Sequence, residues 1–278
     1  MARRGAPPQR ADGTGPGANG GADRPREFVQ GLERGLAVIR AFSPGSPSLT
    51  IAGVAERTGL TRAAARRYLR TLEALGYVAR DDDRFSLTPR LLDLGFTYLS
   101  TLDVTRVAQP HMERVASALH ESCSVSVLDG NDIVYIARRA ADRIMSINLA
   151  VGSRLPAHAT SMGKVLLAHL PPGELERYLE AAPRQRLTAH TIVEAGALRS
   201  ELERARAAGW AVADEESELG VRSAAAPLTG RGGDVQAAIN VAAHASRVSR
   251  EQLLGEYLPV LLEAARAISK ALGGDGPD

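Results

Sequence analysis

The spacing of apolar residues predicts a small helical unit in the first third of the chain, closed by a hairpin. Between Phe28 and Phe42 they recur every three or four positions, which indicates an amphipathic helix. Two shorter helices are predicted at Ile51 to Arg57 and Arg62 to Leu75, each preceded by a threonine that can accept hydrogen bonds from free helix amides. Two short strands between residues 77 and 87 form a hairpin. This order is typical of a helix-turn-helix followed by a β wing.

Beyond Pro89 the pattern becomes that of an α+β domain. The first helix there has an apolar face wider than one core contact needs, which indicates packing against a partner chain: Leu91, Leu92, Leu94, Phe96, Leu99 and Leu102. The other predicted helices lie near residues 107–119, from Thr160 or Ser161 to His169, at 197–208, and from a capping box at Ser249 to Leu272 with a kink at Pro259. The predicted strands lie near residues 124–128, 133–136, 144–149, 210–213, 224–228 and 235–241.

The composition of the first 25 residues sets them apart. They hold six glycines and four prolines, which predicts a disordered tail. We therefore expect a tail at 1–25, a winged helix-turn-helix domain at 26–88, a linker helix at 89–102 and a second domain at 103–273.

Charge is distributed unevenly between these parts. Residues 26–90 carry eleven arginines against seven acids, whereas the residues after 90 carry 19 basic and 23 acidic side chains. A basic unit joined to a slightly acidic one indicates that the first part binds a polyanion and that the second part has a different role.

The second of the paired helices is predicted to enter a DNA major groove. Arginine is well suited to grip guanine or phosphate with two hydrogen bonds, and small residues near the helix start allow close approach to the bases. The expected DNA contacts are Thr61, Arg62, Ala63, Ala64, Arg66, Arg67 and Arg70, with Arg80 and Arg84 on the wing. The alternative for the helix is a solvated basic surface. For the wing, the alternative is that Arg80 and Arg84 only keep the hairpin tip soluble. The aspartates between them, Asp81 to Asp83, would repel phosphate unless they face away from the DNA.

Several classes of protein are excluded or disfavoured by the composition. No stretch approaches the roughly 18 consecutive apolar residues of a membrane span. The single cysteine, Cys123, excludes intrachain disulfides and multi-cysteine metal sites, and it is expected to be a buried apolar residue in a cytoplasmic protein. We expect no cofactor and no metal. His158 with the acidic run at 214–216 is a weak metal candidate, less favoured than a structural histidine.

The residues quoted so far resemble those of a known family. The segment Phe28 to Leu92, centred on Thr61-Arg-Ala-Ala-Ala-Arg-Arg-Tyr-Leu-Arg-Thr-Leu72, looks like the winged helix-turn-helix of the IclR-type bacterial transcription regulators. The likeness continues through Ala157-His-Ala-Thr-Ser-Met-Gly-Lys164, Gly209-Trp210, Asp214-Glu-Glu216, Gly220-Val-Arg-Ser-Ala-Ala-Ala-Pro227 and Ala238-Ile-Asn-Val241. Within that family, the sequences of the recognition helix, of Ile144-Met145 and of Ala159-Thr-Ser-Met-Gly163 are most similar to the subgroup that controls protocatechuate, 4-hydroxybenzoate and β-ketoadipate catabolism.

The resemblance implies a GAF-like effector-binding domain, operator DNA as partner, and a homodimer or dimer of dimers. It implies a cavity for a small carboxylate effector lined by Ile144, Ile147, Ser161, Met162, Asp214, Glu215, Glu216, Ser223, Asn240 and Ala242. The residues support part of this, because a helix beginning at Ser161 offers free amides and a positive dipole end to an anion. Plain capping by Ser161, sheet-core packing of the isoleucines and strand-end capping by Ser223 and Asn240 remain alternatives.

An enzyme is the second hypothesis. The sequence Ala159-Thr-Ser-Met-Gly163 approaches the nucleophile elbow of hydrolases, except that its first glycine is alanine. This leaves an esterase-like enzyme with an accessory DNA-binding domain as the alternative to a regulator.

Overall fold

The computed structural model describes residues 27–101, 103–140, 149–274 and 276–277, without the side chains of residues 96, 97 and 99–101. The predicted tail, Leu102, Ile144, Ile147 and nearly all of the strand predicted at 144–149 therefore lie outside the described residues. The chain divides into two compact units between Asp93 and Leu94.

The first unit packs three helices against a small sheet. Its elements are α1 (Gln30–Arg40), β1 (Ser48–Thr50), α2 (Ile51–Thr58), α3 (Arg62–Ala74), β2 (Val78–Asp81) and β3 (Arg84–Leu87), and the antiparallel strand order is β1-β3-β2. Both predicted caps are confirmed, since Thr50 and Thr61 each accept a hydrogen bond of 3.2 Å from the amide three residues on. Strand β1 was not expected from the sequence, because its three residues become a strand only by pairing with β3.

A helix that crosses the boundary between the units is followed by the α+β domain. The helices are α4 (Leu91–Thr101), α5 (Asp103–Leu119), a 3₁₀ turn (Ala157–Ala159), α6 (Ser161–Ala168), α7 (Pro172–Ala181), α8 (Ala195–Ala208), α9 (Arg250–Gln252) and α10 (Leu258–Ala271). The strands are β4 (Ser122–Asp129), β5 (Asp132–Arg139), β6 (Arg154–Pro156), β7 (Ala211–Asp214), β8 (Val221–Thr229) and β9 (Val235–His244). They form one antiparallel sheet in the order β6-β5-β4-β9-β8-β7.

The two faces of this sheet have different partners. Alternate residues such as Val125, Ile239 and Val241 pack with α5 and α10 in one apolar cluster. The other face, which carries Ala225 and Ala238, packs with α6, α7 and α8 in a second cluster. The sheet is thus covered on both sides, and α6 lies over its centre.

The structure differs from the sequence prediction at a few elements of the second domain. Helix α7 and strand β6 were not expected. The predicted capping box is confirmed, with Ser249 and Gln252 bonded reciprocally. Directly before Pro259 the last helix is π-helical over Leu253–Tyr257, which fits the local disturbance that a proline causes in a helix.

Candidate DNA interface and effector site

The arginines of α3 lie on its solvent side. Ala65, Leu69 and Leu72 are buried in the core of the first unit, as the sequence predicts for the inward face. Arg62, Arg66, Arg67 and Arg70 are all exposed on the opposite side, together with Thr61 and Ala63, while Ala64 is half-buried. The face assignment made from helical spacing is therefore confirmed.

A cleft of about 700 Å³ lies between α3 and the hairpin of β2 and β3, and all four arginines line it. Within the described residues, the side chains of Arg62, Arg66 and Arg67 form no ion pair or hydrogen bond, whereas Arg70 pairs with Glu73 at 2.9 Å. Three uncompensated guanidinium groups on one open surface are suited to an anionic partner.

The two wing arginines already have partners. The Arg80 Nε donates to the carbonyl of Asp82 at 2.6 Å, and its guanidinium lies 5.9 Å from the centre of the Phe85 ring. Arg84 donates to the carbonyl of Ser48 at 3.1 Å and so ties the hairpin to β1. Asp83 lines the cleft beside the arginines rather than facing away from it. These contacts give both arginines a structural role in shaping the wing.

The candidate effector site lies between α6 and the centre of the large sheet. The Ser161 hydroxyl lies 2.8 Å from the Ser223 hydroxyl of β8, and both residues are buried. Met162 is buried as well, and its sulfur accepts a hydrogen bond from Ser126 of β4 at 3.2 Å. Thr160, not Ser161, caps the helix by accepting from the Gly163 amide at 3.0 Å. The Ser161 hydroxyl is therefore directed at the sheet instead of at its own helix.

Asn240 and Ala242 lie on the same face of β9. Ala242 is directly opposite Ser223, and Asn240 is directly opposite Ala225 and, on the other side, Ser124 of β4. The Asn240 side chain is 5% exposed, and its Oδ1 atom is buried without a hydrogen-bond partner. Burying an amide oxygen without a donor is costly, and Asn240 therefore places an unsatisfied acceptor on the sheet face under α6.

Three serines on β4 were not recognised in the sequence. Ser122, Ser124 and Ser126 alternate with Cys123 and Val125, so that all three face α6, and each is almost completely buried. The signal that could have revealed them is their period of two within an otherwise apolar strand. They give the sheet a polar surface beneath α6.

The three acids expected at the site are each held by the protein. Asp214 forms a two-pronged ion pair with Arg222 at 2.8 and 3.1 Å. Glu215 accepts a 2.8 Å hydrogen bond from the Gly220 amide, and Glu216 pairs with Lys164 of α6 at 2.5 Å. Burial raises the pKa of Glu216 above its ordinary value, while Lys164 acts in the opposite direction. These contacts fix the turn between β7 and β8.

The environments of His158 and Cys123 indicate structural roles for both residues. His158 is buried, and its Nε2 lies 3.0 Å from the carbonyl of Gln185. Burial is the main cause that lowers the pKa of this histidine. Cys123 is fully buried and desolvation raises the pKa of its thiol to about 12, which agrees with the prediction of an inert apolar residue. Among the described residues no group of three or more metal-ligating side chains comes together.

Comparison with known proteins identifies the family. The IclR helix-turn-helix domain matches residues 31–82, and the C-terminal domain of bacterial IclR transcriptional regulators matches residues 96–270. The chain belongs to the IclR family. It is a DNA-binding transcription regulator, with an N-terminal winged helix-turn-helix and a C-terminal effector-binding domain. The relatives found are regulators, so the esterase-like alternative has no support.

Individual relatives cover almost the whole chain. The Pca regulon regulatory protein of Pseudomonas putida is 43% identical over 249 residues, which are 89% of this chain and 86% of that protein. A regulator structure from Rhodococcus sp. RHA1 is 50% identical with a TM-score of 0.80, covering 88% of this chain and 99% of its own. An IclR homolog from Microbacterium hydrocarbonoxydans, crystallised with 4-hydroxybenzoate, is 28% identical with a TM-score of 0.78 and the same coverage.

Among the described residues, no helix is both long enough and apolar enough to cross a membrane.

Proposed function

We propose that this IclR-family regulator controls a pathway of aromatic catabolism in the cytoplasm, and that its effector is a small aromatic carboxylate. The observation that carries the proposal is the buried polar surface of Ser161, Ser223 and Asn240, which is unusual in a domain core. A relative named for the Pca regulon and a structural neighbour with bound 4-hydroxybenzoate support the choice of ligand class.

The carboxylate is assigned to the start of α6. The Ser161 and Ser223 hydroxyls share one hydrogen bond, which leaves one hydroxyl proton available for a ligand. The first backbone amides of α6 and its positive dipole end add to the attraction for an anion. Met162 and Ala242 supply apolar contact. Asp214, Glu215 and Glu216 support the site by holding the β7–β8 turn, since each carboxylate has a protein partner, although the second oxygen of Glu216 is buried without one.

Operator binding is assigned to α3. Arg62, Arg66 and Arg67 are the arginines of α3 whose side chains have no partner among the described residues, and the small or polar side chains of Thr61, Ala63 and Ala64 allow the helix start to approach the bases. Arg70, Arg80 and Arg84 are proposed as weaker additional contacts to the phosphate backbone, because each already has a partner within the protein and Asp83 beside the cleft repels phosphate. One such helix per chain reads one half-site, so the functional unit is proposed to be a homodimer or a dimer of dimers.

One experiment tests both halves of this proposal. The change is Arg66→Ala or Arg67→Ala, with Arg177→Ala on α7 as the control that removes the same charge from the other unit. Operator affinity, measured by fluorescence anisotropy, should fall by about 1 to 3 kcal/mol where the lost contact is to a base, because a bidentate contact disappears. Affinity for an aromatic carboxylate, measured by calorimetry, should stay at the wild-type value. Equal losses for all three variants would contradict the assignment of α3.

A further inference from the structure

The inference concerns the acidic side chain in the cleft between α3 and the wing, and it rests on the proposed function. Five arginines line this cleft, and Asp83 is the one acid among the described residues that line it. A carboxylate at this place opposes DNA binding in general, because every duplex brings phosphates toward the arginines. It can favour binding only where the DNA offers it a hydrogen-bond donor.

The hairpin turn holds Asp83 at the wall of the cleft. Asp81 pairs with Arg84 across the two strands, so the loop between them consists of Asp82 and Asp83 alone. Asp82 has a φ of 52°, in the left-handed region that aspartate enters more readily than most residues. Its carbonyl accepts the 2.6 Å hydrogen bond from Arg80. The position of Asp83 is therefore fixed by its neighbours in the turn.

The Asp83 carboxylate is exposed and has no partner within the part of the chain that the structure describes. Arg62, Arg66 and Arg67 share the cleft with it, but none of them forms an ion pair with it. Arg80, its neighbour on the hairpin, donates to a backbone carbonyl instead. The carboxylate therefore has no structural contact of its own, and both of its oxygens are available to the DNA.

A carboxylate distinguishes bases by the donors that they present, because it only accepts hydrogen bonds. In the major groove guanine presents two acceptors, thymine an acceptor and a methyl group, and adenine an acceptor beside its amino group. The cytosine edge alone presents a donor without an acceptor. Arginine has the opposite preference, since it donates to guanine. An acid beside arginines therefore allows the cleft to recognise a cytosine, which the arginines cannot do.

We infer that Asp83 is a specificity-determining residue of the DNA interface. Its carboxylate accepts a hydrogen bond from the amino group of one cytosine in each half-site, and it repels DNA that has no amino group at that place. The arginines of α3 attract any duplex, and Asp83 makes this attraction depend on the base sequence. The sequence indicated only that the wing aspartates repel phosphate or face away, and it did not separate Asp83 from its two neighbours.

The test compares two aspartates of the same hairpin. Asp83→Asn and Asp83→Ala remove the carboxylate from the cleft, whereas Asp81→Asn removes the same charge from an exposed residue of β2 that does not line the cleft. One probe is the duplex that wild-type protein selects most strongly from a randomised pool, and the other is a scrambled duplex of equal composition. Fluorescence anisotropy measures the affinity of each variant for both.

The Asp83 variants should bind DNA with less discrimination. Affinity for the scrambled duplex should rise by about threefold, because a like-charge contact with phosphate is lost. Affinity for the selected duplex should stay the same or fall, so that the ratio of the two affinities decreases, while Asp81→Asn keeps the wild-type ratio. Selection repeated with Asp83→Ala should lose the preference for one cytosine in each half-site and keep the other positions.

The outcomes separate this inference from the proposed function. A wild-type affinity ratio in both Asp83 variants, an equally large change of that ratio in Asp81→Asn, or an unaltered base preference in Asp83→Ala overturns the role of Asp83. Each of these results leaves the assignment of α3 in place, because Arg66→Ala and Arg67→Ala test it separately. If those two variants bind both duplexes as the wild type does, the proposed interface fails together with the inference.

Discussion

Lys164 illustrates the energetics of a single buried charge in this domain. Its side chain is 1% exposed, and the ammonium group lies 2.5 Å from Glu216, 3.0 Å from the carbonyl of Val212 and 3.4 Å from Glu201. A charge buried this deeply is tolerated only when it is paired and hydrogen-bonded. Lys164 therefore joins α6 to β7, α8 and the turn that follows β7, and it holds the helix that carries Ser161.

Replacing this lysine should be costly to the fold. In Lys164→Met the Glu216 carboxylate remains buried without its cation, and the free energy of unfolding should fall by about 3 to 5 kcal/mol. Urea denaturation followed by circular dichroism measures the change. Adding Glu216→Gln should recover part of the loss, because the uncompensated charge is removed. Lys270→Met is the matched control, since Lys270 is exposed on α10. A loss as large in Lys270→Met would show that the effect does not come from burial.

At the residue scale, the sequence predicts which face of an element a side chain lies on better than it predicts which distant residue that side chain contacts. The spacing of Arg62, Arg66 and Arg67 on a helix was enough to place them on one exposed face. The family resemblance grouped Glu216 with ligand-lining residues, and its carboxylate faces Lys164, 52 positions earlier. That pairing depends on how α6 lies on the sheet, which no local pattern encodes. The same holds for Ser124 and Asn240, which become neighbours only through the β4–β9 register.

At the element scale, the start of α6 depends on one glycine. A Cβ atom at Gly163 would overlap the backbone of Ala157, in the 3₁₀ turn that precedes the helix. The chain therefore folds back closely on the first turn of α6, and this packing directs Ser161 and Met162 toward the sheet. The Ser161 region resembles a hydrolase elbow in sequence, but the glycine serves close backbone packing.

Gly163→Ala should destabilise the domain even though alanine favours helices by about 1 kcal/mol over glycine. The added methyl forces a backbone shift, and such overpacking costs about 1 to 3 kcal/mol or more. Thermal unfolding monitored by calorimetry should show a lower Tm. In Gly173→Ala on α7 and Gly196→Ala on α8, where no heavy atom lies near the added Cβ, Tm should stay the same or rise. A Gly163→Ala variant as stable as these two would refute the packing argument.

Elements with strong local signals were predictable, and elements defined by distant pairing were not. The caps at Thr50, Thr61 and Ser249 are set by neighbouring residues, and the structure confirms them. Strand β1 has three residues and exists because β3 pairs with it, so its sequence alone does not indicate a strand. Helix α7 begins after Pro171 with a proline as its first residue, and two consecutive prolines read more readily as a break than as a helix start.

At the scale of the whole molecule, charge and exposed apolar surface indicate how the chain is used. Arginines outnumber acidic residues in residues 26–90, whereas the residues after 90 are slightly acidic. The electrostatic attraction to DNA therefore comes from the first unit. Apolar side chains are exposed on α4, where Leu92 is 72% and Leu94 is 55% exposed, and on α1, where Leu32 is 65% exposed. Surfaces of this kind are typical of subunit contacts.

The last prediction follows from these exposed faces. If they pair two copies, the operator is a pseudo-palindrome whose half-sites lie about one helical turn or a multiple of it apart. Sedimentation equilibrium should show a dimer or larger assembly at micromolar concentration, and Leu92→Glu with Leu94→Glu should shift it toward the monomer. Inverting one half-site preserves base composition and every single-helix contact but breaks the symmetry, so affinity should fall toward that for non-specific DNA. A monomer that binds the inverted site as tightly as the natural one would mean that each α3 acts alone.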